Sequence, residues 1–345
     1  MIPFSYTPNK SIKVYEKSQE YLEKNPNFYS EIQSLSWIYH SLHDLIPQTF
    51  TNFGSGHFFP YNESFQELQV SFSQCQFGLY KQSFTSLRSV LELGLLSVYY
   101  NINDEGHETV KKWFASEDNR EANTPRNKKI WEILESHPNI LDFQKSCNIK
   151  ERFFNLGFLH NYVHTKGYKF SNSLGKFKSN FQTFEEDGIN KWITTAKEVV
   201  TIVTVLHLLK YPIGMYEIDY HAKYGIDIPM FSKLLPHQLQ KIKSFFPKNY
   251  VLKLTEIALK DEEAKLFANH NISKPDLTEE EKEADYLRHD MESIEQIGFE
   301  IWLRNELSLY KVNSIKELHT EKQSKIKFLE NWAKENEFIK PNIER

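Results

Sequence analysis

Apolar residues recur at intervals of three and four along the segment from Ser64 to Tyr100. The clearest run is Phe65, Leu68, Phe72, Cys75 and Leu79. Because a helix completes a turn in about 3.6 residues, this spacing places one apolar stripe along one side of a helix. No segment of the chain alternates apolar and polar residues over the length of a strand. The sequence therefore predicts an all-α protein, with a kink or break in this long helical region at Gly78.

Start signals for further helices are spread along the chain. Ser or Thr followed three residues later by Glu or Gln is the capping-box pattern of a helix N-terminus. The pattern occurs at Ser30, Thr183, Thr278 and Ser314. The helix from Thr183 is expected to run to about Lys210, before a proline. We therefore predict N-terminal helices at 1–59, a helical bundle at 60–212 and a C-terminal helical region at 213–345.

The chain carries no sign of export, of a membrane span or of a nucleotide cofactor. Cys75 and Cys147 are its only cysteines, too few for a disulfide framework. The N-terminus has no apolar signal core, and the longest apolar run, Val199–Leu209, is about half a membrane span. Glycine motifs for phosphate or dinucleotide binding are missing from the sequence. These features predict a cytoplasmic protein with no membrane contact and no cofactor.

The segment Arg152–Gly167, RFFNLGFLHNYVHTKG, is the richest in chemistry. It is predicted to be a helix that ends at His164, with His160 on the same face because the two are four residues apart. A basic loop follows. Residues 109–180 hold thirteen Lys/Arg and seven Asp/Glu, whereas the whole chain has a net charge of -4. Basic side chains interleaved with aromatic ones suit single-stranded RNA, although a solvated loop has the same composition. The predicted substrate-binding residues are Lys166, Tyr168, Lys169, Lys176 and Lys178.

Two sequence patterns lie within the predicted bundle. Residues 78–101, GLYKQSFTSLRSVLELGLLSVYYN, carry a tyrosine, then Leu-Arg, then Leu-Glu, and resemble the second helix of bacterial HEPN-like domains. RFFNLGFLHNYVHTKG resembles their later helix, which ends in Tyr-Val-His or a similar sequence. The resemblance spans roughly residues 60–210. It implies a HEPN-like helical bundle, and many such proteins are RNA-cutting toxins or phage-defence effectors. A homodimer with two sites facing one cleft is a further implication.

A metal-independent ribonuclease needs a base for the ribose 2′-hydroxyl and a cation for the phosphorane. The family's pattern is an Arg followed by a His after four to six residues. Here seven residues separate Arg152 from His160, and eleven separate Arg152 from His164. We predict His164 or His160 as the base and Arg152 or Lys166 as the cation. Arg88 and Glu92 form an i,i+4 pair, predicted to be a buried structural ion pair near the site.

Two other functions are open from the sequence. A non-catalytic helical module would bind a partner protein or nucleic acid and use the histidines only for packing. A metal-dependent hydrolase would use His160 and His164 as an HxxxH pair of zinc ligands. Asn161 stands where a metalloprotease motif has its glutamate. The third ligand would then come from elsewhere, for example Glu92 or His107.

Overall fold

The structure, a computed structural model, describes residues 7–47, 57–104, 107–116, 124–171, 183–225 and 233–339. These residues form helices and helical turns, and no strand occurs among them, which confirms the all-α prediction. They fall into two compact units. The first unit contains the described residues of 7–219 and 233–273, and the second contains 220–225 and 274–339.

The described residues contain the following helices, given in chain order. Their bounds are α1 Pro8–Lys24, α2 Pro26–Leu45, α3 Phe59–Gln76, α4 Tyr80–Asn103, α5 Glu108–Phe114, α6 Asn127–Leu134, α7 Pro138–Cys147, α8 Ile149–Asn155, α9 Phe158–Val163, α10 Tyr168–Ser171, α11 Glu186–Lys210, α12 Tyr220–Tyr224, α13 Pro236–Phe245, α14 Lys248–Lys260, α15 Glu262–Ile272, α16 Glu279–Ile297, α17 Phe299–Leu309 and α18 Thr320–Glu335. Single 3-10 turns lie at Pro212–Met215 and Ile315–Glu317.

Helix α11 is the centre of the first unit. It is long and apolar enough to cross a bilayer, but 83% of its apolar window is buried inside the protein. Helices α2 and α4 pack along it. Gly94 allows α4 to come close, because a Cβ at this position would lie 2.6 Å from a methyl carbon of Val203. The predicted break at Gly78 is confirmed: its φ of +73° ends the helical run between α3 and α4.

The start of α11 is fixed by a distant tyrosine. The Glu185 N–H donates to the Tyr80 hydroxyl oxygen at 2.7 Å, and the Tyr80 hydroxyl donates to the Glu185 carbonyl at 3.1 Å. Gly188, one turn further on, leaves room for the tyrosine ring. The capping box predicted at Thr183 is therefore wrong, because Glu185 stands at the N-cap position and Tyr80 bonds its backbone.

Of the other three predicted helix starts, only the one at Thr278 is confirmed. Helix α2 already begins at Pro26, so Ser30 lies inside it and caps nothing. The box at Thr278 is confirmed: its hydroxyl accepts from the Glu281 N–H at 3.2 Å, and the Glu281 carboxylate accepts from the Thr278 N–H at 2.8 Å. Ser314 precedes a 3-10 turn, and the last helix begins only at Thr320.

The first unit continues past the boundary predicted at residue 212. Helix α14 packs on α7 and α11, and α13 packs on α2. The Tyr216 hydroxyl donates to the Ala258 carbonyl at 3.1 Å, and Gln238 donates to the Asp44 carboxylate at 2.7 Å. The second unit has a separate core of buried side chains, formed by Ile294, Phe299, Trp302, Leu318, Ile326, Leu329 and Ala333.

Candidate functional site

The segment predicted as one helix ending at His164 is broken in two. Helix α8 ends at Asn155 and α9 begins at Phe158, with a turn at Leu156 and Gly157. In this turn the Gly157 N–H donates to the Phe154 carbonyl at 2.9 Å, a bond that spans three residues instead of four. Within the described residues, a Cβ built at Gly157 would meet only that carbonyl, so this position borders open space. The prediction of an uninterrupted helix is therefore wrong.

A cleft of about 310 Å³ lies at this turn, beside α4. Helix α9 is fixed against α4 because Tyr162 stacks on Phe84, with ring centroids 5.0 Å apart, and both residues are buried. Helix α6 also packs on α4 and brings its first residue to the cleft. The lining side chains that are polar are Arg88, Glu92, Asn127 and His160.

The two predicted histidines are neighbours, and His160 lines this cleft. His160 lies in the last turn of α9, and His164 is the residue that follows the helix. Their ring centroids are 4.1 Å apart, and both residues are exposed. Partial desolvation lowers the pKa of His160, and the charges of Arg88, His164 and Lys166 lower it further, while the charge of Glu92 opposes this shift. The neutral imidazole, which can accept a proton, is therefore the favoured form of His160.

Arg88 and Glu92 form one wall of the cleft. The Arg88 Nε donates to Glu92 Oε1 at 2.9 Å, and Nη2 lies 2.8 Å from the same oxygen. The side chains are 20% and 35% exposed. The pair is i,i+4 on one helix as predicted, but it is partly exposed and not buried. A guanidinium has five N–H donors, so a pair made through one carboxylate oxygen leaves donors for an anionic ligand.

Arg152 lies in a different environment. Its Nε and Nη2 donate to the two carboxylate oxygens of Glu198 at 2.9 and 2.7 Å, and its guanidinium lies 5.1 Å from the centre of the Tyr250 ring. The Tyr250 hydroxyl in turn donates to the Cys147 carbonyl at 3.1 Å. Arg152 thus ties α8 to α11 and α14 and does not line the cleft that contains His160. The cation that lines the cleft together with His160 is instead Arg88, from α4.

The structure describes the predicted basic loop only as far as residue 171. Lys166 is exposed, and its backbone N–H donates to the Asn161 carbonyl at 3.1 Å, which turns the chain directly after His164. Lys169 is exposed as well, and its Nζ lies 5.7 Å from the centre of the Phe170 ring. The Tyr168 side chain lies outside the described part of the structure, as do Lys176 and Lys178.

The metal hypothesis finds no supporting geometry in the described ranges. No three His, Cys, Asp or Glu side chains there are grouped so that they could hold an ion. Of the ligands considered, Glu92 is paired with Arg88, and His107 stacks on His57 with ring centroids 3.9 Å apart. His160 and His164 therefore stand as two imidazoles without a third ligand among these residues.

Two other concave surfaces are less suited to a phosphate. A groove of about 680 Å³ in the second unit contains Lys322 and Lys325, but each lysine is paired with an acidic residue. A cleft of about 400 Å³ in the first unit has Lys210 and His137 in its lining, but Asp261 and Glu263 line it as well and their negative charge would repel an anion. The cleft at the α8–α9 turn is lined by the Arg88 guanidinium and the His160 imidazole, and the His164 ring lies next to His160.

Comparison of the chain with protein-family models, with curated proteins and with solved structures finds no match. The chemistry of the site therefore rests on the side chains of this cleft.

The sequence did not indicate a ligand-binding role for three of the residues that line the cleft, which are Arg88, Asn127 and Phe154. The Leu-Arg pattern of α4 drew attention to Arg88 but not to its place beside His160, because that contact joins distant segments. Phe154 carried a usable signal. Two adjacent residues on a helix point about 100° apart, so Phe153 and Phe154 cannot both face the centre of the core.

Proposed function

We propose that the chain is an RNA-directed protein of the HEPN-like type and that the cleft at the α8–α9 turn cleaves RNA without a metal ion. The observation that carries this proposal is the pair of exposed imidazoles, with centroids 4.1 Å apart, of which His160 lines the cleft together with the Arg88 guanidinium. Two imidazoles can serve as base and acid, and a guanidinium can bind a phosphate with two parallel hydrogen bonds.

The roles follow from the chemistry of each group. His160, whose lowered pKa favours the neutral form, removes the proton of a ribose 2′-hydroxyl. The 2′-oxygen then bonds to the adjacent phosphorus, and the bond from phosphorus to the 5′-oxygen breaks. His164 in its protonated form gives its proton to that leaving oxygen. Arg88 stabilises the negative charge of the phosphorane. The products are a 2′,3′-cyclic phosphate and a 5′-hydroxyl, and proton exchange with water restores both histidines.

The residues that follow His164 favour the binding of an RNA strand that extends beyond the cleft. Lys166 and Lys169 are exposed and follow the histidines directly, where they can meet the flanking phosphates. Contacts of this kind release counterions, so RNA affinity should fall as salt rises, and the slope should lessen when both lysines are changed to Ala.

The test uses the full chain, a labelled single-stranded RNA and a chelator. We expect cleavage that persists in the chelator and leaves 2′,3′-cyclic phosphate ends. His160→Ala, His164→Ala and Arg88→Ala should each lower kcat/KM by about 100-fold or more. His289→Ala and Arg288→Ala are matched controls, because both residues are exposed on α16 and belong to the second unit.

Each alternative has its own result. Cleavage that the chelator abolishes and zinc restores would identify a metal-dependent hydrolase and overturn the proposal. Binding of RNA or of a protein without cleavage would identify an interaction module and overturn it as well. Full activity in the His160→Ala variant would show that this imidazole is not the base.

A further inference from the structure

Phe154 presents an aromatic ring at the edge of the cleft. Its side chain is 53% exposed, whereas its neighbour Phe153 is 5% exposed. A single exposed apolar residue is common on protein surfaces and means little alone. Phe154 differs because it lines the same cleft as His160 and Arg88.

The ring is held from behind by buried aromatic residues. Phe154 meets Phe153 edge to face, with ring centroids 5.3 Å apart, and Phe153 packs on the buried Trp131 at 5.4 Å. The backbone is fixed as well, because the Phe154 carbonyl accepts the Gly157 N–H that closes the turn. The position therefore offers a supported aromatic surface at the cleft.

Asn127 adds a polar group to the same cleft. It is the first residue of α6 and is exposed. A carboxamide can both donate and accept hydrogen bonds, as the edge of a nucleobase does. Aromatic rings bind bases that are unstacked, and such bases occur in single-stranded RNA and in loops.

We propose that Phe154 stacks on the nucleobase beside the scissile phosphate, with Asn127 at the edge of that base, so that the substrate is single-stranded RNA. This inference rests on the proposed function, since it places the ribose of that nucleotide at His160. Stacking holds the nucleotide for the reaction, so Phe154 is a positioning residue. A base paired in a duplex has no free face for the ring.

The experiment separates binding from cleavage. A single-stranded RNA with one 2′-deoxy nucleotide at the cleavage position cannot react, because it lacks the attacking hydroxyl. A 2-aminopurine at that position reports stacking by loss of fluorescence, and anisotropy of the same strand gives Kd. We expect quenching in the wild-type protein and none in Phe154→Ala. Its Kd should rise about tenfold, since a stacked base contributes on the order of 1–3 kcal/mol.

Two control variants test whether the effect depends on an aromatic ring at position 154. Phe154→Trp retains an aromatic face and should restore both quenching and affinity. Phe114→Ala removes a ring that is 48% exposed and does not line the cleft, so it should bind RNA like the wild type. With cleavable RNA, Phe154→Ala should raise KM and leave kcat within a few-fold of the wild-type value.

The outcomes distinguish this inference from the proposed function. Cleavage by the wild type, together with unchanged quenching and Kd in Phe154→Ala, overturns the stacking role and leaves the ribonuclease proposal standing. Equal cleavage of the same sequence in single-stranded and duplex form also overturns it. Failure of the wild-type protein to bind the RNA overturns both.

Discussion

His207 should make the stability of this protein sensitive to mild acid. It lies in the fully buried part of α11. Its Nδ1 is 2.8 Å from the Val203 carbonyl oxygen, which can only accept, so Nδ1 carries the proton. Its Nε2 then accepts from the Ser97 hydroxyl at 3.3 Å. This is the neutral ring, and burial lowers its pKa from 6.5 to about 4.

The sign and size of the effect follow from proton linkage. Between the two pKa values, the unfolded chain binds a proton that the folded protein does not, so stability falls as the pH falls through this window. With pKa values of 6.5 and about 4, the loss between pH 7 and pH 5 is about 2 kcal/mol, and it approaches about 3 kcal/mol below pH 4.

Urea unfolding at pH 7 and pH 5, for the wild type and for His207→Gln, measures this loss. Glutamine keeps an amide that can donate to a carbonyl but does not titrate. All other titrating groups are common to both proteins. We therefore expect the wild type to lose about 2 kcal/mol more than the variant between the two pH values. Equal losses would refute the assignment of a buried neutral imidazole.

Three further predictions concern packing and the turn at the site. Gly94→Ala should lower the free energy of unfolding by about 1–3 kcal/mol in urea titrations, because its Cβ would lie 2.6 Å from a valine methyl on α11. Glu198→Gln should cost about 1 kcal/mol, because it weakens a pair with Arg152 that is about one third exposed, and thermal melts would detect the loss. Gly157→Ala should reduce RNA cleavage roughly tenfold in kinetic assays, because its Cβ would lie 2.9 Å from the Phe154 carbonyl oxygen and move the turn.

The parts of the fold that follow from local chemistry were predictable. Three-four apolar spacing identifies the helical class, and the end of a helix at Gly78 follows from the positive φ that glycine adopts easily. The start of α11 was not predictable from its own residues. Tyr80, more than a hundred positions earlier in the chain, bonds the backbone of Glu185, and no local pattern encodes that contact.

In the candidate site, too, the local arrangement was predictable from the sequence, whereas the contact between distant segments was not. The spacing of His160 and His164 indicated that their side chains could be neighbours, since residues four apart lie on one side of a helix. The identity of the nearby cation depends on which helix packs beside them. Arg152 is close in sequence, but its guanidinium is taken up by Glu198. Arg88 is distant in sequence, and the packing of α9 on α4 brings it to the cleft.

The eight-residue spacing of Arg152 and His160 limits how close their side chains can come, which matters for the proposed mechanism. On a continuous helix, residues eight positions apart are separated by about 12 Å along the axis and about 80° around it. A guanidinium and an imidazole so placed do not converge on one phosphate. The turn at Gly157 does not repair this, since Arg152 stays with Glu198. In the proposed mechanism the cation is therefore not Arg152, and Arg88 on α4, which lines the cleft with His160, takes that role.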